Sequence, residues 1–217
     1  MPYYNSDDSD GQGFLNQNKS ILIGASKCKT SSGDVAKIYR PQIGQKYYFD
    51  DITVDVMFTH EQLDSTVWKN NANETSTWLR FNIDGKTFVH CGDGQENSIK
   101  AVTEVYDAAF LDFDVITTPH HAQHITDDYV NTIISEDTKV LYTTFITDTQ
   151  SKYYSEEENE ALRAKVGEGN YICWGNGTVV VTFNEGVTWT TQDSRDWTWH
   201  PDRNNNPPTQ YIGNPIN

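Results

Sequence analysis

The stretch from Lys86 to His121 constrains this chain more than any other part of it. KTFVHCGDG, SIKAVTEVYDAAF and FDVITTPHH follow one another as a strand with an acidic turn, a helix, and a strand with a histidine pair. A strand that ends in Gly92-Asp93 sets a carboxylate at its carboxyl end. A returning helix then lets the next buried strand bring His120 and His121 to the same edge, which is how an α/β fold assembles a polar site.

The remaining segments extend that unit in both directions. SILIGA reads as a buried strand, and YRPQIGQKYYFDDITVDVMFT as two short strands, the second alternating from Ile52 to Phe58. HEQLDSTVWKNNANETS has the composition of a loop, its asparagines suited to turns. Asp84-Gly85 is the strongest hairpin signal and predicts a β-hairpin over Thr77 to Cys91. Apolar residues at Ile99, Val102, Val105, Tyr106, Ala109 and Phe110 predict a helix from Ser98 to Phe110. Next come a strand from Val115 to Thr118, a helix from Thr126 to Ile134 capped by Thr126, and a strand from Val140 to Phe145. A helix from Ser155 to Val166 opens on a Ser155/Glu158 capping box, and Tyr171–Trp174 and Val179–Phe183 flank Gly175-Asn176-Gly177 as a closing hairpin. Strands dominate the first half and strand-helix alternation the second, so the fold class expected is α/β (α+β): a mixed sheet with helices on one face.

With 217 residues the chain suffices for one well-buried domain. Its net charge of -15 disfavours nucleic acid and anionic membrane as partners, and the scattered acids read as a solvated surface. Cys28, Cys91 and Cys173 form an odd set without C-x-x-C, so they indicate neither a disulfide framework nor a zinc knot. No apolar run approaches the roughly 20 residues of a membrane span. MPYYNSDDSDGQG is acidic where a secretory signal needs a basic start, leaving cytoplasmic and extracellular locations both compatible.

NNANETSTWLRFNIDGKTFVHCGDGQ followed by DAAFLDFDVITTPHH resembles the C-terminal half of the metallo-β-lactamase superfamily domain, nearest the branch of competence DNA-uptake proteins and extracellular phosphodiesterases. GTVVVTFNEG resembles that family's terminal hairpin, and the likeness covers roughly Arg40 to Glu185. It implies half of an αββα sandwich, with residues 1–19 linker-like, 20–185 the half-domain, and 186–217 an irregular Trp/Asn/Pro-rich extension. It also implies a hydrolase in which Asp93 bridges two metal ions, zinc or another divalent cation, that activate water.

This sequence departs from the family pattern at the catalytic apparatus. The upstream His-x-His-x-Asp-His motif is absent, Tyr153 and Tyr154 stand where a further histidine falls, and Ala122-Gln123 replaces the Gly-Ser after the histidine pair. A hydrolytic zinc needs about three protein ligands and an open water position. The candidate site is therefore His120 and His121 as substrate-contacting or catalytic residues, with Asp93, His121 and His124 as a partial metal set. Three readings of the histidines stay open: a local zinc site, substrate contact, or purely structural polar groups. The function expected is a metallo-β-lactamase-like hydrolase portion, weakly active or inactive alone, with a non-catalytic interaction or scaffold domain as the alternative. On either reading an N-terminal half or a second copy of the chain would cover the open face of the sheet, or the Trp-rich stretch from Trp189 to Tyr211 would do so instead. Those aromatics also suit a stacking platform for sugars or bases.

Overall fold

The computed structural model describes residues 19–35, 37, 39–123, 125–142, 156–173, 178–184 and 186–192. Seven strands form one sheet in chain order: β1 (Lys46–Phe49), β2 (Ile52–Phe58), β3 (Trp78–Ile83), β4 (Lys86–His90), β5 (Val115–Thr117), β6 (Lys139–Tyr142) and β7 (Tyr171–Cys173). Neighbours are antiparallel from β1 to β4 and parallel from β4 to β7. The sheet is mixed, as expected, and β4 is the strand at which the direction of pairing changes. The β3–β4 hairpin turns on Asp84 and Gly85 with φ of 51° and 76°, the doubly left-handed turn that matches strand twist.

Helical segments pack on one face. α3 (Glu96–Val105) and α4 (Glu156–Val166) place Ile99, Val102, Leu162 and Val166 against Val89, Ile116, Val140 and Tyr171 of the sheet. Each such side chain taken fully out of water contributes about 1.5–3 kcal/mol. The opposite face carries a second sheet of two strands, β8 (Thr178–Thr182) and β9 (Thr188–Gln192). Val179, Val181, Phe183, Val187 and Trp189 of this hairpin pack on Val115, Leu141 and Ile172. The result is sandwich-like: helices, the large sheet, and a small sheet over its parallel end.

Asp114 fastens the foot of that parallel end. Its carboxylate accepts hydrogen bonds from Lys86 Nζ and from Thr87 N and Oγ1 at 2.9–3.0 Å, and its carbonyl accepts from Lys139 N. β4, β5 and β6 are thereby locked in register at the end opposite the polar edge. Burial alone would push this carboxyl up, but the bonds from Lys86 and Thr87 outweigh it and hold it below its ordinary range.

Several elements differ from the sequence reading. SILIGA is not a strand: residues 19–27 form a helix, α1, on which Ile21, Leu22 and Ile23 are exposed. So short an apolar run has no period to separate the two conformations. The HEQLDSTVWKNNANETS segment contains α2 (Ser65–Asn70), whose cap Asp64 accepts from Thr66 N at 2.8 Å, and a 3-10 turn over Asn73–Thr75. α3 starts before Ser98 and ends at Val105, because Tyr106 leaves the helix to donate its hydroxyl to Met57 O. Thr126 caps the next segment as expected, accepting from Tyr129 N. Tyr129–Ile133 then widens into a π turn, and Lys165 of α4 takes the Val130 carbonyl. The closing hairpin is β8–β9, since β7 joins the large sheet beside β6. β9 also makes the first part of the expected irregular extension regular. Residues 143–145 of the expected strand, Ser155 of the capping box, the linker-like 1–18, and Trp197, Trp199 and Tyr211 lie outside the described residues.

Candidate functional site

Because β4 and β5 run parallel, both carboxyl ends open on one edge, and the two loops that leave them meet there. The first is Cys91-Gly92-Asp93-Gly94. Cys91 is buried, donates its backbone N–H to Thr117 Oγ1 at 3.1 Å, and has a thiol that burial raises well above its ordinary value. It is a core residue and not a nucleophile. Both glycines answer to close contacts. Gly92 has φ of 58°, and a Cβ there would lie 2.9 Å from Ser76, whose Oγ accepts from Asp93 N. A Cβ on Gly94 would lie 2.6 Å from Ser98 Oγ and 2.7 Å from Trp78 Nε1.

The second loop is strained. His120, His121 and Ala122 have φ of 46°, 56° and 63°, three successive non-glycine residues in the left-handed region. Each costs about 1–2 kcal/mol relative to the right-handed conformation. Three bonds hold the turn. His120 N–H donates to Gly92 O at 3.0 Å, Gln123 N–H to His120 O at 3.0 Å, and Asn159 Nδ2 of α4 to Ala122 O at 3.0 Å. Asn159 is almost fully buried and itself accepts from the Tyr171 hydroxyl at 2.6 Å. The consequence is a pair: His121 Nε2 stands 3.4 Å from Asp93 Oδ1, both side chains partly exposed.

His120 points the other way from this pair. Its Nδ1 lies 2.7 Å from Gln95 Nε2 and its Nε2 lies 3.4 Å from the Asn73 carboxamide. His90, at the end of β4, has Nδ1 3.4 Å from Thr117 Oγ1. Burial lowers the His90 pKa, against a smaller upward pull from Asp93.

Glu74, like Asn159, is a residue that sequence reasoning missed. Only 1% exposed, it sits in the Asn-rich segment read as a loop, yet its carboxylate accepts from Gln95 N, Asn97 N, Asn97 Nδ2 and Ser98 N at 2.8–3.2 Å. It caps α3 from a distance of more than 20 positions, and no local pattern signals such a cap. The backbone N–H groups of Gln95, Asn97 and Ser98 are taken by this carboxylate, so those three have no hydrogen left for an external anion. Beside it is a cavity of about 370 Å³ lined by Asn71, Glu74, Gln95, Glu96, Asn97 and Thr126 over Ile125, with no basic side chain in the lining.

The edge thus brings together Asp93, His120 and His121, and His124 lies outside the described residues. Among the described residues no three His, Cys, Asp or Glu side chains converge to hold a metal ion. Asp93 and His121 fit two ligand positions where a hydrolytic zinc needs three. No described helix is long and apolar enough to cross a membrane. The sequence matches no family model and no curated protein.

Proposed function

We propose that this chain is a hydrolase-type α/β domain of the metallo-β-lactamase kind that keeps the substrate-contacting edge and is weakly active or inactive alone. The observation that carries the reading is the strained His120–Ala122 turn, braced by Gly92, Asn159 and Tyr171 so that His121 meets Asp93 at 3.4 Å. Backbone strain concentrated beside a carboxylate at the open end of a parallel strand pair is characteristic of a working site. What these residues offer is orientation of a carbonyl or phosphoryl oxygen and proton transfer at His121, whose general acid-base help is worth about 10²–10⁴-fold. That range is small against the very slow spontaneous hydrolysis of a phosphodiester.

The test is an assay of bis-p-nitrophenyl phosphate and nitrocefin with the purified protein, with and without added zinc or manganese. No turnover above background is expected. Metal-dependent hydrolysis that disappears in both Asp93→Ala and His121→Ala would overturn the reading, because the chain would then build a complete centre from its own residues.

A specific observation favours a second reading, an interaction or scaffold domain. The β8–β9 hairpin covers only the parallel end of its face. At the other end Phe49 is 60% exposed, and Tyr47, Ile52, Phe81 and Ile83, on the same face by register, are half-buried. A partner sheet or a second copy of the chain would bury this surface.

A further inference from the structure

The chain of hydrogen bonds that reaches His120 Nδ1 begins on a backbone N–H, and this sets the donor and acceptor at each link. Asn73 N–H donates to Asn71 Oδ1 at 3.1 Å, and a backbone amide can only donate. The Asn71 carboxamide is therefore fixed with its nitrogen outward, and Nδ2 donates to Gln95 Oε1 at 2.6 Å. That fixes Gln95 in turn, so Nε2 is the group 2.7 Å from His120 Nδ1, and Nδ1 must accept. From this relay we infer that Asn71 and Gln95 are positioning residues that set the tautomer of the His120 imidazole, with the ring proton on Nε2 and the Nδ1 lone pair on Gln95.

The structure sets Asn73 Nδ2 3.4 Å from His120 Nε2. With the ring proton on Nε2 two donors would oppose each other there, so the assignment requires the Asn73 carboxamide to exchange its two ends by a 180° rotation and offer its oxygen. The relay divides the work of the histidine pair. An imidazole with Nδ1 occupied and Nε2 protonated presents a hydrogen, not a lone pair. His120 is thus a donor whose partner here is the Asn73 carboxamide, which a substrate carbonyl or phosphoryl oxygen would displace, and neither a metal ligand nor a general base. The identity of its acceptor rests on the substrate-site reading above, but the tautomer does not, because it is measured with no substrate present.

The experiment is two-bond proton–nitrogen correlation of the histidine rings in the uniformly ¹⁵N-labelled full chain at about pH 8.5, two units above the ordinary histidine value. His120→Gln identifies the signal. The wild-type ring is expected in the Nε2–H form. Gln95→Glu replaces the donor facing Nδ1 with an acceptor while leaving Asn71 its partner, and is expected to move the proton to Nδ1. Asn71→Leu leaves Gln95 free to rotate and is expected to give a mixture. A wild-type ring carrying its proton on Nδ1, or a Gln95→Glu spectrum unchanged from wild type, would overturn the assignment. The wild-type and Asn71→Leu spectra decide the matter even if Gln95→Glu does not fold.

Discussion

At the residue scale, the site depends on groups that touch no substrate. Glu74 illustrates this: a buried carboxylate stabilised by four donors at the positive end of α3. It positions Gln95, and through Gln95 it positions His120. Glu74→Gln keeps the shape but sets an amide nitrogen against backbone N–H groups, leaving buried donors unpaired. It is expected to destabilise the protein by about 3 kcal/mol in urea unfolding, whereas a change under about 0.5 kcal/mol would show that the cap is dispensable. That Asp93, His120 and His121 meet at one edge was legible in the sequence, because strand, turn and strand fix where a chain must return. Glu74 and Asn159 were not, since each bonds a segment distant in sequence and neither stands in a local capping pattern. Ala122 was legible only as a departure from the resemblance, where glycine would adopt the left-handed conformation without strain.

At the element scale, the pattern that could be read was periodic and the pattern that could not was short. β2, the β3–β4 hairpin and α3 present strict alternation, a two-residue turn and a helical stripe, and α4 was read from the capping-box pattern at its start. α1 and α2 present neither, and the Gly175-Asn176-Gly177 turn signal drew the partner of β8 to β7, whereas β9, a Thr-rich strand without an apolar run, is the one that pairs with it. The consequence of pairing β8 with β9 is that the hairpin roofs the parallel end of the large sheet. Ending the chain after Cys173 would expose Val115, Leu141 and Ile172. Aggregation, or a melting temperature lower by about 10 °C, is expected from the apolar area uncovered. An unchanged monomeric melting transition would mean that the hairpin is an ornament and not part of the fold.

At the scale of the whole molecule, the described residues cover one end of the large sheet and leave apolar side chains exposed at the other. Helices and the β8–β9 hairpin enclose β4 to β7, the strands that carry the polar edge, while exposed Tyr48 and Phe49 mark β1 as the less protected margin. The strained turn and its braces lie at the enclosed end, where rigid packing can hold three left-handed residues in place. The substrate-edge reading and the interaction reading therefore assign the molecule's work to opposite ends of one sheet. Backbone proton–nitrogen spectra recorded while bis-p-nitrophenyl phosphate is titrated into the protein separate them most directly. The account predicts saturable shifts confined to Gly92–Gln95 and His120–Gln123, and their loss in His121→Ala. No saturable change, or changes centred on Tyr48 and Phe49, would contradict it.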